Sequence, residues 1–184
     1  MTKQGAGPIG DLRKEQAKAA VRGGLAFLLT IACLVSAALW LPAAMRFPTG
    51  PIEGFSFASR VNLVPGIALL IAIRVVARIR FYSVEDNRGS AFAPPSQKLA
   101  VSSAFLQNTL EQTVLAVIAN FALASVGTPS ALAYMSAGAA LFLVGRVTFY
   151  LGYPYGAGAR AFGMVMTMTP ALAALGWAVV DLVL

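Results

Sequence analysis

Carboxamide, hydroxyl and carboxyl side chains interrupt an apolar stretch in the second half of the chain. Gln107, Asn108, Glu111 and Gln112 occupy positions i, i+1, i+4 and i+5, so a helix would carry them along one side as a polar stripe. A charged side chain near the middle of a membrane costs about 2.5–3.5 kcal/mol even on the most lenient scale. Glu111 therefore needs a partner or a proton.

A second polar set lies in the next apolar stretch. Arg146, Tyr150 and Tyr153 are spaced i, i+4 and i+7, which places a guanidinium and two phenols on one helix face. Because the two stretches would run in opposite directions through a membrane, Arg146 is within reach of Glu111. We predict that these two residues form an ion pair.

Two uses of these polar groups remain open. In the first, the Glu111–Arg146 pair fixes helix packing while Gln107 and Asn108 bond across helices. In the second, the same groups and Arg160 line a pocket that opens to the cytoplasmic side. Such a pocket would bind an anionic ligand that also accepts and donates hydrogen bonds.

Composition decides the class of protein. Of the 184 residues, 58% are hydrophobic and 11% are charged, and the mean hydropathy is +0.75, which is typical of an integral membrane protein. A single cysteine, Cys33, and the absence of histidine argue against disulfides and most zinc or copper sites. We therefore expect no metal site. The net charge of +7 indicates membrane orientation rather than nucleic acid binding.

Apolar runs of about 20 residues are long enough to cross a bilayer. The chain contains five, which predict an all-α integral membrane protein with five transmembrane helices near residues 23–45, 61–81, 98–126, 129–152 and 158–184. Asn62, Ser96 and Thr128 are predicted N-caps, because a proline or an apolar run follows each of them.

Basic residues are distributed unevenly between the two sides of this predicted arrangement. Twelve of the 14 lysines and arginines fall on one side, and only Arg46 and Arg60 fall on the other. The positive-inside rule then places the N-terminus and the loop at 82–97 in the cytoplasm and the C-terminus outside. We expect the location to be the bacterial inner membrane.

Two segments resemble a known family. They are "QNTLEQTVL" (107–115) and "GRVTFYLGYPYGAGARAFGM" (145–164). In order along the chain, they contain Asn-x-x-Glu at 108–111 and an arginine, a tyrosine and an arginine at 146, 153 and 160. The chain from 62 to 184 is similar to the membrane-associated proteins in eicosanoid and glutathione metabolism (MAPEG), which include microsomal glutathione transferases and leukotriene C4 synthase.

The resemblance implies a four-helix subunit that assembles as a homotrimer, with glutathione bound between subunits toward the cytoplasm. The chain then divides into a basic cytoplasmic segment (1–22), an extra transmembrane helix with an external loop (23–60) and a MAPEG-like four-helix domain (61–184).

Site roles also follow from the resemblance. Asn108 and Glu111 would bind the glutathione backbone, Arg146 and Tyr153 would contact the peptide, and Arg160 would lie near the thiol as the catalytic residue. Tyr150 and Arg78 complete the predicted binding set, since an arginine can bind a carboxylate through two hydrogen bonds. A nearby cation lowers the pKa of a thiol and so supplies the thiolate that attacks an electrophile.

One position departs from the family pattern. Glutathione-using members commonly carry an arginine where this chain has Ala104. Two hypotheses therefore remain. The first is a transferase or peroxidase that combines glutathione or another small thiol with lipophilic electrophiles. The second is a non-catalytic scaffold or accessory subunit that binds lipid or another membrane protein complex.

Overall fold

The computed structural model describes residues 8–89, 92 and 94–184, so Lys3 of the predicted basic segment lies outside the described residues. Across these residues the chain forms six α-helices and no strand. The helices are α1 (Pro8–Ala44), α2 (Pro51–Val61), α3 (Leu63–Tyr82), α4 (Gln97–Ala124), α5 (Pro129–Gly152) and α6 (Ala157–Val183), with one 3₁₀ turn at Tyr153–Tyr155.

Four helical segments in the described part of the chain are long and apolar enough to cross a membrane. They are Leu12–Ala44, Pro51–Tyr82, Pro129–Tyr155 and Ala157–Val183. The helix α4 has 28 residues, or roughly 42 Å at 1.5 Å per residue, but its polar stripe lowers its hydropathy. The predicted fifth span therefore remains a prediction.

The first connection contains a helix. Within the predicted segment 23–60, the part that follows α1 includes most of α2 (Pro51–Val61). Gly50 turns the chain at a positive φ of 100°, and Pro51 follows as the first helical residue. A proline at this position has its φ already set for a helix and loses no hydrogen bond.

Two of the three predicted helix caps are confirmed. The hydroxyls of Ser96 and Thr128 accept hydrogen bonds from the backbone N–H groups of Leu99 and Ala131, at 3.2 and 3.3 Å. The prediction for Asn62 is wrong. Its side chain makes no cap, because its Oδ1 accepts a hydrogen bond from the amide of Asn120 at 2.7 Å.

The two ends of the bundle differ in character. The basic end holds Arg22, Arg78, Lys98 and Arg160. At the opposite end, the loop between α1 and α2 meets the loop between α4 and α5. There the Gly50 N–H donates to the Gly127 carbonyl at 3.1 Å. The larger apolar core lies toward this opposite end, and a smaller cluster of Ala72, Phe105 and Phe149 lies toward the basic end.

The helices α5 and α6 cross closely where each carries a glycine. A Cβ on Gly145 would collide with the Thr167 hydroxyl and lie 3.0 Å from the Gly163 carbonyl, and one on Gly163 would collide with the backbone of Gly145 and Phe149. Small residues of this kind let membrane helices approach closely. The crossing brings Arg146, the neighbour of Gly145, against α6.

We expect Gly145→Ala to destabilise the protein by about 1–3 kcal/mol, because the added methyl group overpacks this crossing. Gly176→Ala on α6 is the matched control. A Cβ there meets no atom within 4 Å, so the better helix propensity of alanine should stabilise the protein by about 0.5–1 kcal/mol. Unfolding by SDS in mixed micelles measures both changes, and a shift in the same direction for both variants would contradict the close crossing.

Candidate functional site

Arg146 is buried inside the bundle, with only 4% of its surface exposed. Its Nη1 donates to Asn108 Oδ1 on α4 at 2.7 Å. Its Nε and Nη2 donate to Thr167 Oγ1 on α6 at 3.3 and 2.9 Å, and the Thr167 hydroxyl donates in turn to the Gly163 carbonyl at 2.6 Å. One guanidinium therefore ties three helices together.

Aromatic rings cover the faces of the guanidinium. Its carbon lies 4.8 Å from the centroid of the Phe149 ring and 5.8 Å from that of Phe142. Both distances are within the range at which a ring attracts a cation. All of these partners are electrically neutral, and no carboxylate pairs with Arg146 within the described part of the chain. The buried positive charge is thus solvated but not neutralised.

The predicted ion pair between Glu111 and Arg146 is wrong. Within one subunit Glu111 is exposed, and its Oε1 accepts a hydrogen bond from Gln107 Nε2 at 3.0 Å. The reason is that successive side chains of a helix point in different directions around its axis, so Asn108 and Glu111 of α4 face different neighbours. Asn108 faces α5 and α6, and Glu111, three residues later, points about 60° to one side of it.

The polar stripe therefore divides between the inside and the outside of the subunit. Asn108 and Gln112 lie on the inner side, and Gln112 is 3% exposed. Its Oε1 has no hydrogen-bond partner among the described residues. Gln107 and Glu111 lie on the outer side, where Ala104 is also exposed. The outer face of α4 thus presents a carboxylate on the surface of the subunit.

Aromatic rings connect Arg146 to Arg160. The ring of Phe149, which lies against Arg146, packs edge-on against Tyr153 with 5.7 Å between centroids. The guanidinium of Arg160 lies 4.7 Å from the centroid of the Tyr153 ring. The predicted residues Arg146, Tyr153 and Arg160 are therefore brought together at the basic end of the bundle.

A polar cleft of about 980 Å³ opens between the basic ends of α3 and α4. Arg78 and Tyr150, two of the predicted binding residues, line it with Lys98, Ser102 and Asp86. The ring of Tyr150 packs edge-on against the ring of Phe105, with 4.9 Å between centroids. Arg160 does not line this cleft, so one subunit presents the two predicted groups of arginines separately.

Asp86 closes the loop that forms one wall of the cleft. Its two carboxylate oxygens accept hydrogen bonds from the Ser96 backbone N–H at 2.8 Å and from the Ser96 hydroxyl at 2.7 Å. The bond from the Ser96 N–H is the main reason that the pKa of Asp86 is lowered, because these donors stabilise the charged form. Ser96 also caps α4, so Asp86 connects the loop to the start of that helix.

An apolar groove of about 260 Å³ runs beside the cleft along α3 and α5. Ile71, Leu143 and Val147 line it, and Arg146 lies at its base. Val75 and Tyr150 line both the groove and the cleft. The two spaces therefore meet at Tyr150, with the apolar one on the outer surface of the bundle.

Sequence reasoning missed two parts of this site. Thr167 was not singled out, although it follows Arg160 by seven residues and so lies on the same face of α6. Met164 lies between them on that face, and its sulfur accepts a hydrogen bond from the Asn108 amide at 3.5 Å. The loop carboxylate Asp86 was also missed, and its distance of ten residues from Ser96 gave no local signal.

We expect Thr167→Val to lower the free energy of unfolding by about 1–3 kcal/mol, because it leaves two donors of a buried guanidinium without an acceptor. Thr148→Val is the matched control, since the Thr148 hydroxyl donates to carbonyls of its own helix. SDS unfolding of both variants measures the difference. Equal losses of stability would show that the Thr167–Arg146 contact contributes little.

A second expectation concerns pH. Because folding lowers the pKa of Asp86, this carboxylate stabilises the fold above the ordinary aspartate pKa, and that stabilisation is lost as the pH falls from about 4 toward the lowered value. The melting temperature of the wild type should therefore fall more steeply over this range than that of Asp86→Asn. Glu85→Gln, at the exposed neighbouring carboxylate, should retain the wild-type slope. If Asp86→Asn also retained that slope, the role of Asp86 would be refuted.

Comparisons with known proteins show the family of the chain. The sequence model of the MAPEG family matches residues 60–180, which is more than half of the chain and includes every residue of the site described above. Neither the curated proteins nor the solved structures compared with the chain gave a match. The helix α1 lies outside the matched region. On the strength of the family match, the chain belongs to the MAPEG family.

Proposed function

We propose that this protein is a membrane-bound thiol transferase or peroxidase that binds glutathione, or another small thiol, and acts on lipophilic electrophiles. One observation carries the proposal. Arg146 is a buried cation whose described partners are all neutral, at the base of a groove in a family that includes glutathione transferases. An anionic ligand would supply the missing negative charge.

The cleft supports binding of the thiol. Glutathione carries two carboxylates, and Arg78 and Lys98 provide cations on the wall of the cleft. Its volume lies within the range of ordinary ligand sites. The phenol of Tyr150 can donate a hydrogen bond to the peptide backbone. Arg146 lies at the base of the adjoining groove, which meets the cleft at Tyr150, so the proposed thiol ligand extends past Tyr150 to reach it. Asn108, Glu111 and Tyr153 complete the proposed binding set.

The apolar groove supports access for the second substrate. A lipophilic electrophile dissolved in the bilayer would enter along Ile71, Leu143 and Val147 and meet the thiol near Tyr150. The thiolate sulfur would then attack an electrophilic carbon and form a carbon–sulfur bond. The electrons of the broken bond would go to the leaving atom, which takes up a proton.

Arg160 is the proposed catalytic residue. A free thiol has a pKa of about 8.5, and a nearby cation stabilises its thiolate. Arg160 is only partly buried, and its guanidinium lies over the Tyr153 ring, so its charge is held in place yet accessible. Since Arg160 and the cleft are apart within one subunit, the proposal requires that a neighbouring subunit bring them together.

The proposed assembly is a homotrimer with five transmembrane helices per subunit. The exposed Gln107 and Glu111 on α4 favour contact with another copy, because a carboxylate facing lipid is costly. The proposed location is the bacterial inner membrane, with the basic end in the cytoplasm. Labelling of a cysteine at position 88 from the outside only would contradict that orientation.

A second candidate function rests on Ala104. This residue is exposed on α4, one turn before Asn108, and offers no guanidinium where glutathione-using members commonly have one. The alternative is therefore a non-catalytic scaffold or accessory subunit that uses the same polar face to bind lipid or another membrane protein.

Titration of bound glutathione distinguishes these functions. In the wild type we expect an ultraviolet thiolate band with an apparent pKa about one unit or more below 8.5. Arg160→Ala should return the pKa toward 8.5 while leaving the fold intact, and Arg160→Lys should retain part of the effect because it keeps the charge.

Arg88→Ala is the control, since Arg88 is an exposed basic residue of the loop, and it should titrate like the wild type. If the wild type binds no glutathione, the scaffold function becomes the better explanation. If it binds glutathione but Arg160→Ala titrates identically, glutathione remains the ligand and the catalytic role of Arg160 is refuted.

A further inference from the structure

The helix α1, which the family match does not cover, binds the first turn of α6 through its side chains. The backbone N–H of Gly158 donates to Glu15 Oε2 at 3.2 Å, and Arg22 Nη1 donates to the Gly158 carbonyl at 3.5 Å. Glu15 and Arg22 are seven residues apart and so lie on one face of α1. Both polar backbone groups of a single glycine are thus held by side chains of another helix.

The contact is close enough to require glycine. A Cβ on Gly158 would lie 2.8 Å from Lys18 Cβ and 3.3 Å from the Glu15 carbonyl oxygen. Lys18 also bonds Glu15 at 2.8 Å, which holds the carboxylate in position. The absence of a side chain at position 158 therefore allows α1 to lie directly against the start of α6.

The start of α6 has no cap of its own. Its N-cap residue is Gly156, at a positive φ of 92°, and it provides no side-chain acceptor. The first N–H groups of a helix lack partners within the helix, and its N-terminus carries a partial positive charge. The carboxylate of Glu15 supplies both an acceptor and a negative charge at this point.

Arg160 belongs to the same turn. Its backbone N–H donates to the Gly156 carbonyl at 3.4 Å, so its position depends on how this turn is held. The guanidinium then reaches the Tyr153 ring. We propose that Glu15 and Arg22 of α1 act as positioning residues for Arg160, which links the extra N-terminal helix to the thiolate step; this inference rests on the proposed function.

The position of Glu15 and its charge have opposite expected effects on the pKa of a bound thiol. If Glu15 acted only through space, removing its negative charge would lower the pKa of a bound thiol, because a nearby anion disfavours the thiolate. If Glu15 positions Arg160, losing the contact frees the turn, weakens the stabilisation of the thiolate and raises that pKa. The direction of the change therefore separates the two mechanisms.

The test titrates glutathione bound to the full-length protein. Glu15→Ala should raise the apparent pKa of the bound thiol by about half a pH unit, as a lost helix cap would suggest. Glu15→Gln keeps an acceptor oxygen without the charge and should remain close to the wild type. Gln16→Ala, at an exposed neighbouring position, is the control and should not change the titration.

Gly158→Ala provides a second approach that leaves every charge in place. Its methyl group would push α1 away from α6, so it should raise the thiol pKa in the same direction as Glu15→Ala. If Glu15→Ala does not fold, Gly158→Ala still tests whether α1 positions Arg160.

One outcome would overturn the positioning role and leave the proposed function intact. In it, Glu15→Ala and Gly158→Ala leave the thiol pKa unchanged or lower it, while Arg160→Ala still raises it. No thiolate in the wild type would overturn the proposed function and the positioning role together.

Discussion

A guanidinium buried among membrane helices must be solvated by the protein, and Arg146 shows how this chain meets that requirement. Asn108, Thr167 and two phenylalanine rings surround it. Each partner needs a particular helix at a particular distance. The close crossing at Gly145 and Gly163 brings α5 against α6, and only then can Thr167 reach Arg146. The contacts of this one cation thus join α4, α5 and α6 where the crossing brings them together.

Neutral solvation leaves the charge of Arg146 uncompensated within the described part of one subunit, while the exposed face of α4 presents the carboxylate of Glu111. Both features are costly for an isolated subunit in lipid. In the proposed function, assembly and ligand binding would relieve them by different routes: a neighbouring copy would cover the face of α4, and an anionic ligand would approach Arg146. The same polar residues that lower the hydropathy of α4 are therefore the basis of the proposed trimer.

The sequence predicted most of the helices, because long apolar runs and capping residues such as Ser96 and Thr128 are local signals. It also predicted that Gln107 and Asn108 would bond across helices. Asn108 does so through Arg146, whereas Gln107 bonds Glu111 on its own helix. The partner of Arg146 was predicted wrongly, because spacing along α4 places Glu111 and Asn108 on the same side without fixing which of them faces inward. The contacts of Thr167 and of Glu15 with Gly158 depend on which helices pack together, and no spacing within a single helix contains that information.

The central claim is that the polar face of α4 is covered by other copies of this chain, which completes a site that one subunit holds only in part. Native mass spectrometry of the full-length protein, released from a mild detergent, tests this claim most directly. The account predicts a single species with three times the subunit mass of 19.2 kDa. Monomers as the main species, under conditions in which the protein remains folded, would contradict it.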